Sequence, residues 1–268
     1  MPGDGRRQAS WPGRLAGAAG AVRALGGRRL TTPGAIVLCY HDVGDDPGNR
    51  TPYYLTPWQL RSQLRWAMRW GLRFVDLGDL VDALLSGRPV DGLAAIAFDD
   101  GLVGVHRHAL PVLSELGLPA TVFAVSDALG ASPPWWDGAD RVMTRAELLE
   151  AAKAGLRVAS HTRSHPRLPG LEPGALRDQL AGARAALQDL TGTPVDLLAY
   201  PFGDSDARVR ELAAEAGYRA GFSFHNGRLT TASARYRLPR LNMWNGQGRL
   251  RLAYHLARPP ASWPADDA

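Results

Sequence analysis

With 268 residues, 45% of them hydrophobic, the chain has the length for one large α/β domain or two small ones and a globular composition. A single cysteine, Cys39, excludes an intrachain disulfide and a cysteine-based metal site, and no run approaches the ~18 apolar residues of a membrane span. The net charge of +5 resides in residues 1–34, with six arginines against Asp4; the other 25 basic residues are matched by 25 acids, which argues against a nucleic-acid-binding core.

Residues 1–34 are rich in glycine, alanine and arginine, a composition that predicts a disordered tail. Such a tail can make weak contact with an anionic membrane or polymer. Its most signal-like run, Leu15 to Val22, is weakly apolar and ends at Arg23, so it reads as a poor signal peptide. The compartment stays open, with a cytoplasmic or peripheral place favoured over secretion.

From Ala35 onward strands and helices alternate. Ile36 to Tyr40 is apolar and short, a buried strand, and runs into His41-Asp42 and a Gly/Asp/Pro loop. Thr56-Pro57 predicts a helix start, and Leu60, Leu64 and Ala67 recur at helical spacing up to Gly71. Arg73 to Val75 is a short strand, followed by a helix marked by Leu80, Val81 and Leu84. Ala94 to Phe98 is the next strand and ends in Asp99-Asp100-Gly101. Neighbouring strand residues point to opposite faces, so a regular strand would splay these two acids; Gly101 lets the chain bend and re-aim them.

A helix to about Leu116 follows, then a strand from Ala120 to Val125. Thr144-Arg145-Ala146-Glu147 is a capping box that starts a helix stopped by Gly155. Arg157 to Ser160 is a strand that ends at His161. A long helix covers roughly 173–190, with Leu176, Leu180, Ala183 and Leu187 on one face. Asp196 to Tyr200 is a strand, Val209, Leu212 and Ala216 mark a helix, and Gly221 to Phe224 is the last clear strand. Gly71, Gly117, Gly155 and Gly217 each precede an apolar residue and then Arg or Pro, a repeated helix-stop before a strand. The alternation predicts parallel strands, and seven of them in one compositional block favour a barrel with its site at the strands' carboxyl ends. With no linker between Ala35 and about Arg258, residues 35–258 read as a single domain and 259–268 as a C-terminal tail.

Chemistry-bearing residues collect at those strand ends: His41, Asp99-Asp100, His161 and Tyr200-Pro201-Phe202-Gly203. His161 and His165 are four apart, the spacing of a zinc-protease helix. The glutamate that such a helix needs is here Thr162, and Pro166 follows, so the pair belongs to a strand-end loop. Two imidazoles and one carboxylate make a facial ligand triad with positions left for water and substrate.

Three stretches together resemble the polysaccharide deacetylase family: Phe98-Asp99-Asp100-Gly101, His161-Thr162-Arg163-Ser164-His165 and Ala199-Tyr200-Pro201-Phe202-Gly203. The likeness runs from about Ile36 to Arg240. It implies a distorted (β/α) barrel of about seven parallel strands and a metal-dependent hydrolase that removes N-acetyl groups from amino sugars in a polysaccharide, oligosaccharide or glycan precursor. It also implies Asp100, His161 and His165 as ligands of one divalent ion, Zn2+ as first choice with Co2+ or Ni2+ as alternatives. Asp99 becomes the catalytic base, and the backbone N–H of Phe202 the donor to the oxyanion. A glycan substrate and no nucleic-acid partner follow.

Two departures from the family pattern stand out. The usual Leu-x-His near the C-terminus is missing. Leu38-Cys39-Tyr40-His41 and Leu252-Ala253-Tyr254-His255 are the related strings, and His41 is favoured as the general acid because a clean strand leads into it. A branch of the family that includes poly-N-acetylglucosamine deacetylases carries this final motif at the chain start. Ala199 stands where many members have an arginine that orients the base, so Asp99 must be held otherwise, as by a backbone donor.

Trp135 and Trp136 read either as sugar-stacking residues or as a pair packing their loop, and Tyr200 and Pro201 are further substrate-contact candidates. His106 and His108 read as helix-surface residues. His225-Asn226 is a candidate lining of the groove, and Arg240 in Leu238-Pro239-Arg240-Leu241 resembles a recurrent family string without an assignable role. The alternatives are an amidase or deformylase on another small amide, and a catalytically idle glycan-binding module.

Overall fold

The computed structural model describes residues 33–46, 49, 51–245 and 252–253. Residues 1–32 of the basic tail, the C-terminal tail and His255 lie outside these residues. Seven parallel strands close into a ring in the order β1 (Ile36–Tyr40), β10 (Leu238–Asn242), β9 (Ala220–Asn226), β8 (Leu197–Ala199), β7 (Arg157–Ser160), β6 (Thr121–Ala124) and β5 (Leu93–Phe98), and β5 returns to β1. The helices are α1 (Pro57–Arg69), α2 (Leu77–Leu85), α3 (Leu110–Leu116), α4 (Arg145–Lys153), α5 (Pro173–Arg177), α6 (Ala183–Thr191) and α7 (Ala207–Glu215). This is the expected (β/α) barrel.

Its membership differs from the expectation in one exchange. Arg73–Phe74 forms β4, but β4 only pairs with Leu93 and Ala94 at the start of β5. β6 takes the same edge further along, at Ala97 and Phe98, so β4 is outside the ring. The missing strand is β10, which lies between β1 and β9 beyond the strand expected to be last. Leu238-Pro239-Arg240-Leu241-Asn242 escapes a pattern reading because a proline and an arginine interrupt its apolar run. The register of β10 against β9 shifts between Leu238 and Arg240, a bulge of the kind in which a residue without an N–H is tolerated. A second small departure is the pairing of Asp42–Val43 (β2) with Tyr54–Leu55 (β3) inside the loop after β1.

Strand alternation sorts the side chains into two layers. Ile36, Leu38, Tyr40, Ala94, Ile96 and Phe98 join a cluster with Leu60 and Leu64 of α1 and Val112 of α3. Val37, Ala95, Ala97, Phe123, Ala159, Leu197, Ala199 and Phe222 form another with Leu77, Leu80 and Leu84 of α2. The second layer is alanine-rich, so little volume is filled there. Asp99 continues the register of Ala95 and Ala97 and therefore faces that layer.

The helix starts follow their sequence signals. Thr56 and Gln59 form one capping box, and Thr144 and Glu147 another. The helix expected over 173–190 is continuous through α5 and α6 but contains a π turn at Asp178–Gly182. A second π turn, Val105–Ala109, precedes α3. Among the described residues, no helix is long and apolar enough to cross a membrane.

Candidate active site

At the carboxyl ends of the strands lies a cavity of about 330 Å³, walled by His41, Pro52, Tyr53, Asp99, Asp100, Trp135, Trp136, His161, His165, Phe202 and Phe224. The loop after β5 sets the two acids. Asp100 and Gly101 both take left-handed backbone angles, with φ of 66° and 69°. That double turn brings Asp100 round from the face opposite Asp99 to the same cavity. Four non-glycine residues among those described have positive φ: Asp100, Thr162, His165 and Phe202. All four belong to the three sequence motifs. The conformation costs an ordinary residue ~1–2 kcal/mol, so the surrounding structure must hold each one in place.

Asp100, His161 and His165 converge as the ligand spacing suggests. Their candidate ligand atoms lie within 4.8 Å of one another. His161 Nε2 is 3.7 Å and His165 Nε2 3.4 Å from Asp100 Oδ1. His161 Nδ1 is 2.7 Å from the Ala199 carbonyl oxygen, and donating to it leaves Nε2 free to accept a cation. Burial, reinforced by the charge of Asp99, pushes the Asp100 carboxyl up to about 8, against a single N–H donor from Trp135 at 3.0 Å. Burial lowers both histidines, His165 to about 2, and keeps them neutral. A buried carboxyl group that has no cationic side chain on it and faces two neutral imidazoles fits a divalent ion, whose charge would favour its ionised form.

Asp99 has a different partner, one that the sequence reading did not identify. Arg240, fully buried on β10, donates Nη1 to Asp99 Oδ1 at 2.6 Å and Nη2 to Oδ2 at 2.8 Å. The expectation of a backbone donor is corrected: a guanidinium fork holds Asp99, and it comes from a strand other than the one carrying Ala199. Burial alone would raise the Asp99 carboxyl, but the Arg240 guanidinium outweighs it and holds it well below the usual carboxylate range. Cys39 Sγ is 3.5 Å from Asp99 Oδ2. Cys39, His41 and Asp99 also have ligand spacing, but Arg240 already neutralises that carboxylate.

His41 faces the cavity from the end of β1, its Nε2 4.0 Å from Asp99 Oδ2. Its ring stacks on Tyr53 at 4.7 Å and meets Trp136 and Phe224 edge-on. Burial depresses its pKa to about 4, so the resting imidazole is neutral. Trp136 and Trp135 both line the cavity. Trp135 also stacks on His165 at 4.4 Å while its indole N–H binds Asp100, so it touches two of the three candidate ligands.

Tyr200 does not reach the cavity. Its ring is buried among Leu176, Leu180 and Val209, and its hydroxyl donates to the Tyr236 carbonyl at 2.9 Å. The substrate-contact assignment of Tyr200 is therefore corrected to a packing role. Pro201 is also buried and outside the cavity walls, where it opens the turn that presents Phe202. Phe202 has its ring edge-on to His165, and the next two N–H groups, of Gly203 and Asp204, are taken by the Tyr200 and Pro201 carbonyls. His106 pairs with Glu150 and His108 with Asp45 on the helix surface, as expected. His225 and Asn226 are not among the cavity walls. Pro52, Tyr53 and Phe224 are, and no pattern marked them: each sits in a loop or at a strand end with no motif spacing.

Comparison with known proteins gives consistent results. A family profile described as "Polysaccharide deacetylase" matches residues 86–221. The chain is similar to YxkH of Bacillus subtilis (strain 168), whose name marks it as a polysaccharide deacetylase by inference, with 23% identity over 211 residues, 78% of this chain and 71% of that protein. It is similar to the poly-beta-1,6-N-acetyl-D-glucosamine N-deacetylase of Staphylococcus aureus (strain MRSA252), with 24% identity over 200 residues, 70% and 67% of the two chains. Among solved structures it shares the fold of the Streptococcus pyogenes deacetylase PplD in complex with acetate, with a TM-score of 0.73 and 19% identity, covering 85% of this chain and 100% of that one.

Proposed function

Since this chain belongs to the polysaccharide deacetylase family, we propose that it is a metal-dependent N-deacetylase of amino sugars in glycans, with Asp100, His161 and His165 as ligands of one divalent ion, Zn2+ before Co2+ or Ni2+. The carrying observation is the pairing of two buried acids with opposite partners: Asp100 faces two neutral histidines, Asp99 a guanidinium. The bound ion supplies the Lewis acidity that activates water and polarises the acetamide carbonyl.

The chain's own residues do the remainder. Asp99, kept ionised by Arg240 and aimed by its fork, takes the proton of the attacking water. The N–H of Phe202, a residue that lines the cavity, donates to the developing oxyanion; losing such a donor costs ~10²–10³ in turnover. The leaving nitrogen needs a proton, and His41 Nε2 is the donor. Asp99 Oδ2 and His41 Nε2 are 4.0 Å apart, beyond direct hydrogen-bond reach, so the proton gained at the first passes to the second through one bridging water or substrate atom. A neutral resting imidazole suits this role because it carries charge only while it carries that proton. Trp136, Tyr53 and Phe224 wall the side where the sugar ring stacks.

The relative from Staphylococcus aureus makes β-1,6-linked N-acetylglucosamine oligomers the first substrates to test, with β-1,4-linked oligomers beside them. Acetate release is measured with Zn2+ or Co2+ supplied. Asp99→Asn should lower turnover by at least about 100-fold and keep the metal, whereas His161→Ala should lose the metal. No acetate from any such oligomer, with the ion bound, overturns the reading. The idle-module alternative drew its support from Ala199, and Arg240 removes that support.

A further inference from the structure

The His161–His165 loop has two strained residues, Thr162 and His165, at φ of 71° and 58°. Something outside the loop must keep them there. His165 N–H reaches Thr162 Oγ1 at 3.2 Å, a bond within the loop itself. From outside, Ser126 and Asp127 donate their N–H groups to the Thr162 and Arg163 carbonyls. The other side of the loop is held by one half-buried side chain. Gln179 Oε1 accepts from both the Arg163 and Ser164 N–H groups, each at 3.1 Å, and Gln179 Nε2 donates to Ser164 Oγ at 2.9 Å.

Gln179 belongs to the π turn Asp178–Gly182 that interrupts the long helix. Such a turn widens the helix by one residue and recurs at functional sites. Next to Gln179, Asp178 Oδ1 binds Arg163 Nη1 at 2.7 Å. A Cβ on Gly182 would stand 2.8 Å from Asp178 Oδ1 and 3.1 Å from Arg163 Cδ, so the absent side chain leaves room for that crossing. The Arg163 pair is solvent-exposed and contributes little. The amide of Gln179 is different because it satisfies three polar groups of the loop at once.

We propose that Gln179, presented by this π turn, is a positioning residue that locks the histidine loop in its ligand-competent conformation and thereby sets the affinity for the divalent ion. The inference rests on the metal-ligand reading above. Without the clamp the loop can relax toward ordinary backbone angles, and His165 Nε2 leaves its place beside Asp100.

The test compares the wild type with Gln179→Ala and Gln179→Glu. The second keeps the acceptor oxygen, and Ser164 can donate its hydroxyl to it. Co2+ affinity is measured by chelator competition, without substrate, together with amide exchange of Arg163, Ser164 and His165 in the metal-free protein. Gln179→Ala should weaken Co2+ binding about 10- to 100-fold, the usual effect of losing an outer partner. It should speed exchange of those three amides about 5- to 10-fold, and Gln179→Glu should restore both. If Gln179→Ala does not fold, Gln179→Met carries the same expectation. Wild-type Co2+ affinity and wild-type exchange in Gln179→Ala, or no rescue by Gln179→Glu, overturns the clamp. A wild type that binds no divalent ion overturns the metal reading instead, and amide exchange still decides the clamp.

Discussion

Arg240 and Trp135 illustrate how single residues divide the work between the two acids. Arg240 is fully buried and, among the described residues, its carboxylate partner is Asp99. Arg240→Met therefore leaves an uncompensated buried carboxylate. Urea unfolding should show a loss of ~3–5 kcal/mol, and the double variant Arg240→Met with Asp99→Asn should recover part of it. Arg240→Lys keeps the charge but loses the two-pronged grip, so turnover should fall while most of the stability stays. Trp135→Phe retains the ring over His165 and removes the N–H on Asp100. Metal titration of that variant should show about 10-fold weaker binding, with the wild-type value as the disproving result.

At the scale of elements, the site depends on helix starts and loops fixed close to it. The loop carrying Trp135 and Trp136 ends at the capping box of α4. There Glu147 accepts from Thr144 and makes a two-pronged pair with Arg141 at 2.6 and 2.7 Å. The Arg141 bond lowers the Glu147 carboxyl from 4.5 to about 2. A group whose pKa is lower in the folded state contributes stability above its unfolded value and loses it as pH falls through the folded one. The melting temperature of the wild type should thus drop between about pH 4.5 and 2 more steeply than that of Glu147→Gln, and parallel curves would refute this. At the opposite end of the barrel from the cavity, Arg157 bonds Asp76 at the start of α2, while Arg219 bonds Asp196 and Asp82. These pairs tie the elements together on the side where barrels keep their stabilising rather than catalytic groups.

For the whole molecule, ring closure is what assembles the site. β1 brings His41, β5 the two acids, β7 the histidine loop, β8 the Phe202 turn and β10 Arg240. The segment matched by the family profile, 86–221, lacks β1, β10 and most of β9. A fragment of those residues would expose two open parallel edges and remove the partner of Asp99. It should not form a cooperatively folding monomer, and circular dichroism with thermal melting checks this: a sharp two-state transition in the fragment would show that closure is dispensable.

The sequence by itself determined the periodic strands and helices, the capped helix starts, the parallel barrel and the motif acid and histidines, Asp100, His161 and His165, that converge as a candidate ligand set. These are local signals: apolar spacing, capping chemistry, and motifs confined to five residues or fewer. It did not reveal which strand closes the ring, because Pro239 and Arg240 disguise β10 and only its neighbours on both sides make it a strand. Nor did it reveal what holds Asp99, since Arg240 lies 141 residues away and meets it only inside the closed barrel. Tyr200 shows the converse: a residue inside a motif whose side chain the tertiary packing turns away from the cavity. Identity and spacing carry whatever a strand end can encode; the face a side chain takes, and the partner it meets across the barrel, were decided by closure.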